Sequence, residues 1–120
     1  MPKLINVSLP ERVRLMDIIG AQEAPGVAAQ RELIRLLDAI EFSPDEQSHV
    51  GLKIDATAGF ISWDPGRAEG VRYDLRLTDN QAALLAAILG NDGGRYRVSL
   101  RPRADDWAVR VYDVLKGDAA

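Results

Sequence analysis

Three times along this chain a hydroxyl residue stands three positions ahead of a glutamate or glutamine: Ser8 before Glu11, Ser43 before Glu46 and Thr78 before Gln81. In that spacing the hydroxyl accepts the backbone N–H of the third residue on. The longer side chain reaches back to the first residue's own N–H, so the pair marks where a helix starts. Pro10 and Pro44 sit where a missing N–H costs nothing. The first motif predicts a helix over 9–19, with Val13, Met16 and Ile19 or Leu15 as its buried stripe and Gly20 as its stop. The second predicts one short helical turn as far as His49. The third predicts a helix on Leu84, Leu85, Ile88 and Leu89, ending near Gly90.

A fourth helix is written in periodicity alone. After the Pro25-Gly26 turn, Val27, Gln30, Ile34, Leu37 and Ile40 recur at three- and four-residue spacing, widened by Leu33 and Leu36. It is expected over 27–41 as the spine of the core. Strand signals lie between the second and third motifs. Leu52, Ile54 and Ala56 alternate with Lys53 and Asp55, Thr57-Ala58-Gly59 turns the chain, and Phe60 to Trp63 returns it as a hairpin. Asp64 to Arg67 reads as a further turn, and Val71, Tyr73, Leu75 and Leu77 form a strand with one wet face. Residues 95–114 fit two periods. Tyr96, Val98 and Leu100 alternate like a strand, whereas Ala104, Trp107, Ala108, Val111 and Leu115 suit a helix over 103–116. The expectation is an α+β fold: N-terminal helices, a small antiparallel meander of about three strands, then C-terminal helix.

With 120 residues and 47% hydrophobic content the chain can bury a core without staples, as a single domain over 1–120. No apolar run approaches the roughly 18 residues that cross a bilayer, so no membrane role is expected. There is no cysteine and one histidine, His49. Thiolate metal sites, a thiol nucleophile and a two-histidine metalloprotease helix are therefore out of reach. The net charge is −3, with residues 1–60 holding six Lys/Arg against nine Asp/Glu and residues 61–120 nine of each. Such a balance disfavours duplex nucleic acid as the partner.

Leu9-Pro10-Glu11-Arg12, the run Glu32 to Leu37 leading to Phe42-Ser43-Pro44-Asp45-Glu46, and the hairpin end Ile61-Ser62-Trp63-Asp64 occur in that order. Over residues 8–89 they resemble a family of small bacteriophage and prophage proteins with no assigned activity. Pro25-Gly26 stands where members carry a shorter acidic-glycine turn, and the C-terminal part is richer in arginine. The resemblance implies a phage accessory protein in a host bacterial cytoplasm, of the sort that binds host machinery or blunts antiviral defence. It implies no catalytic residues.

Most chemistry-bearing residues have an ordinary explanation. Asp45 and Glu46 open a helix, Asp105 and Asp106 occupy a first turn, and His49 complements a helix C-terminus. Asn91-Asp92-Gly93-Gly94 lacks the Lys-Ser/Thr of a phosphate loop and suits a tight reversal. The one constellation above that background is Arg95, Arg97, Arg101 and Arg103 with Tyr96 and Trp107. On a strand the four arginines would share one face, as guanidinium forks for phosphate beside aromatic faces for a base. The competing explanation is an edge strand kept soluble by arginines, with Trp63 and Trp107 in the core. No cofactor is expected.

The leading expectation is a non-enzymatic protein that sequesters a host protein. The alternative is a sponge for a small anionic nucleotide-like ligand, which would be a homo-oligomer because interfaces readily close pockets. A virion or assembly component comes next. A metal-dependent phosphodiesterase is disfavoured by the shortage of histidine and cysteine.

Overall fold

The computed structural model describes residues 2–55, 57 and 59–117. All three capping motifs close in both directions: Ser8 with Glu11, Ser43 with Glu46 and Thr78 with Gln81. They open α1 (Leu9–Gly20), α3 (Pro44–Val50) and α5 (Asp79–Leu89). The periodic segment forms α2 (Val27–Ile40), and the C-terminal helix α6 spans Trp107–Lys116. Asp64 caps a four-residue helix, α4 (Pro65–Ala68), where the sequence predicts only a turn.

The strands bear out α+β but pair differently from a meander. The segment Lys3–Ser8 is itself a strand, β1, and lies antiparallel to β4 (Arg72–Leu77) with Ile5 opposite Leu75 and Val7 opposite Tyr73. The hairpin strands β2 (Lys53–Asp55) and β3 (Phe60–Ser62) pair with each other and, among the described residues, with no other strand. Ala56 and Ala58, which the hairpin reading also uses, lie outside the described residues. The reason for the different pairing is non-local. β4 finds a partner some seventy residues away in sequence, and alternation within β4 carries no information about which strand that is.

Ile5, Val7, Leu75 and Leu77 face a core completed by Leu15, Ile18 and Ile19 of α1, Leu36 and Ile40 of α2, α5, and Trp107, Val111 and Leu115 of α6. A second cluster, Leu9, Phe42, Val50 and Leu52, sits beneath the hairpin with Trp63 half-buried against it. Met16 and Tyr73 touch both clusters and join them. Gly90, just past α5, leaves room for α6, since a Cβ there would stand 2.9 Å from the Tyr112 ring.

Two helices are rotated from their expected positions. In α1 the fully buried stripe is Leu9, Arg12, Leu15, Ile18 and Ile19, while Val13 and Met16 are only half-covered. In α2, meant to be the spine, only Leu36 and Ile40 are buried, and Val27 and Ile34 remain 69% and 49% exposed. Among the described residues no helix is long and apolar enough to cross a membrane.

Candidate functional site

The segment between α5 and α6 carries the arginines. It leaves α5 through a single 3-10 turn, Asp92–Gly94. Asn91 and glycines 93 and 94 all take positive φ there, and the Asn91 side chain accepts the Tyr96 N–H at 3.0 Å. This is the tight reversal that two adjacent glycines suit, since each enters the left-handed region without a Cβ clash. Residues 95–101 then run without regular structure across the end of α1.

Side chains of α1 and of the loop after it hold that strap. The Gln22 amide donates to the Arg97 carbonyl at 2.7 Å, and its oxygen accepts the Arg97 N–H at 2.9 Å. Gln22 thus supplies the two bonds that a neighbouring strand would otherwise make. Arg14 donates to the Ser99 carbonyl at 2.8 Å, and Asp105 accepts the Arg101 N–H at 2.8 Å. Tyr96 and Val98 pack inward against the core, and Arg95, Arg97 and Ser99 face out. The strand-like alternation is therefore real over five residues, although no strand forms.

The predicted arginine face does not assemble. Arg95 lies over the Tyr96 ring, 5.3 Å from its centre. Arg97 pairs with Glu23 at 3.0 Å. Arg101 and Arg103 fall beyond the strap, in the turn leading to α6, and stay on the surface. Trp107 is 6% exposed and belongs to the core, so it offers no platform for a base. The helix expected over 103–116 begins only at Trp107.

What the strap does build is a cleft of about 630 Å³ against the start of α2. Arg95 and Tyr96 form one wall and Glu23 and Glu32 contribute two carboxylates. Ala29, Leu33 and Leu84 give it apolar surface. Neither Arg101 nor Arg103 lines it. Glu23 and Glu32 are absent from the sequence-derived site, because they lie more than sixty residues from the arginines and carry no motif.

A second polar centre lies inside the molecule. Arg12, at 2% exposure, donates from Nε to the Ile40 carbonyl at 2.7 Å and from Nη2 to the Glu41 carbonyl at 2.9 Å. It also grips Glu46 with both forks, at 2.8 and 3.1 Å. Four of its five N–H groups are thus satisfied, the condition for burying a guanidinium. Its plane lies over Phe42 and Tyr73, 4.1 and 4.6 Å from the ring centres, and those rings meet edge to face. The Arg12 hydrogen bond holds the Glu46 carboxyl below its ordinary range, against the opposing push of partial burial. Burial pushes the Tyr73 hydroxyl above its ordinary value, and that oxygen has no hydrogen-bond partner among the described residues.

This centre joins Leu9-Pro10-Glu11-Arg12 to Phe42-Ser43-Pro44-Asp45-Glu46, with Arg12 and Glu46 standing 34 residues apart in the chain. Glu46 serves there as cap of α3 and counter-ion of Arg12 together. Its signal in the sequence was an arginine in phase with Leu9, Leu15 and Ile19. Among the described residues no three Asp, Glu or His side chains are grouped to hold a metal ion. Compared with known protein families, curated proteins and solved structures, the chain matches none of them.

Proposed function

We propose that this chain is a non-enzymatic binding protein of phage origin that works in a bacterial cytoplasm by occupying the surface of a host protein. The observation that carries the reading is the charge of the strap cleft. Glu23 and Glu32 are already paired, with Arg97 at 3.0 Å and Arg35 at 3.1 Å, which leaves a single guanidinium, Arg95, beside an apolar floor. A nucleotide's phosphates would find one arginine there rather than a cluster. A protein segment presenting an apolar side chain fits the floor, and a basic one beside it can exchange into the two exposed ion pairs at little cost. Phage origin and cytoplasmic action rest on the motif resemblance.

The sponge reading keeps one observation in its favour, the Arg95–Tyr96 stack at the cleft wall. The two separate cleanly. A photo-crosslinking residue at Ala29, inside the cleft, should give one discrete adduct with a different protein in bacterial cells. The same probe at Ala83, on the exposed side of α5, should give none, and Glu32→Lys should abolish the Ala29 adduct. In parallel, a nucleotide at 100 times its dissociation constant would raise stability by about 2.7 kcal/mol. A nucleotide-dependent rise that disappears in Arg95→Ala, with no adduct at Ala29, would replace the protein-partner reading with the sponge.

A further inference from the structure

The next face of α2, round from the cleft, has a different character. Val27 and Ile34 are seven residues apart, as are Gln30 and Leu37, so the four form a seam down one side of the helix. Leu36 and Ile40, which face the core, lie round from it. The seam borders an open groove of about 450 Å³, with Ile19, Gly20 and Gln22 opposite. A Cβ built on Gly20 would meet nothing within 4 Å. A helix with this much apolar surface in water ordinarily has something laid against it.

Charge identifies what. Arg31 and Asp38 flank the seam along its outer side, again seven residues apart. Both are exposed, and neither makes an ion pair or side-chain hydrogen bond among the described residues. Glu32 and Arg35, further round the helix, satisfy each other at 3.1 Å. An outer flank holding one cation and one anion two turns apart is complementary to itself when reversed. If a second α2 runs antiparallel across a two-fold axis, Arg31 of each copy meets Asp38 of the other. In the same register Ile34 of each copy packs against Leu37 of the other at the centre. A parallel pair would put the two outer flanks on opposite sides of the seam and lose both contacts.

We infer that the α2 seam is an interface between two copies of this chain, packed antiparallel and held in register by reciprocal Arg31–Asp38 pairs. This does not rest on the cleft's partner: the groove and the strap cleft are neighbours that share Ala24 and Leu33, but none of the four seam residues lines the cleft. A 14-residue helix is only about 21 Å long. The interface is accordingly at the small end of the range for specific contacts, and the dimer is a reversible one.

Sedimentation velocity on the intact chain, over about two decades of concentration, tests it. The native chain should pass from monomer to dimer as concentration rises. Arg31→Asp and Asp38→Arg should each move that transition about tenfold higher, because each turns two attractive pairs into repulsive ones. The double variant Arg31→Asp/Asp38→Arg should return it to near the native position. Seven residues separate the two sites by about 10 Å along one helix, so this recovery cannot arise within a single chain. Ile34→Glu should give monomer with an unchanged thermal midpoint. A native chain monomeric throughout would overturn the inference and leave the groove to a different protein. A double variant no better than either single one would overturn it too.

Discussion

One buried arginine and four exposed ones divide the polar chemistry of this protein, and the fold treats the two groups differently. Arg95, Arg97, Arg101 and Arg103 are conspicuous by their density, yet the fold disperses them to a ring, an acid and open surface. Arg12 is a single arginine inside a capping segment, yet it ties the ends of α2 and α3 to α1. The difference is solvent. A guanidinium in water exchanges partners at little cost, whereas one taken out of water must keep every bond it makes.

The sharpest way to break that comparison is to truncate both kinds. Arg12→Ala leaves the buried Ile40 carbonyl, the part-buried Glu41 carbonyl and Glu46 without the guanidinium and removes the group that lies over Phe42 and Tyr73. It should lower unfolding stability by about 3 kcal/mol in a denaturant titration. A loss under about 1 kcal/mol would mean that water replaces the guanidinium. Arg97→Ala should stay within about 0.5 kcal/mol, because its pair with Glu23 is exposed.

The part-buried Arg12–Glu46 pair should also contribute to the acid limb of stability. The folded-state pKa of Glu46 is depressed, so its contribution is present above the unfolded value of about 4.3 and is lost as pH falls through the folded one. Glu46→Gln keeps the cap but removes the titrating charge. Its unfolding midpoint should therefore depend less steeply on pH below about 5 than the native chain's. An unchanged acid limb would place that dependence on other carboxylates.

The smallest effect lies at the junction of strap and α1. Gln22→Ala removes both bonds to the Arg97 backbone and should cost about 1 kcal/mol. Its signature is local: faster hydrogen exchange at the Arg97 amide with the core amides unchanged. Exchange rising uniformly would show instead that strap and core open together.

Much of the secondary structure was legible because its causes are local. A cap needs only four consecutive residues, so the starts of α1, α3 and α5 could be read to the residue, and a seven-residue repeat is enough to announce α2. The strand face of β4 was legible for the same reason. Neither α2's orientation nor β4's partner was, because both depend on what packs against them from distant parts of the chain. β1 escaped notice since Leu4, exposed on its outer side, blurs the alternation of Ile5 and Val7.

The candidate site followed the same division. Sequence determined that residues 95–98 alternate inward and outward, that Gly93 and Gly94 turn the chain, and that Trp107 suits a core. Only the tertiary structure decided that Gln22 would stand in for a neighbouring strand, that Glu23 and Glu32 would face Arg95, and that Arg12 would meet Glu46. Backbone preference and side-chain period act over one or two turns and are written in neighbouring residues. Which charges share a cleft depends on chain segments many residues apart, and that is settled only when apolar surfaces find one another.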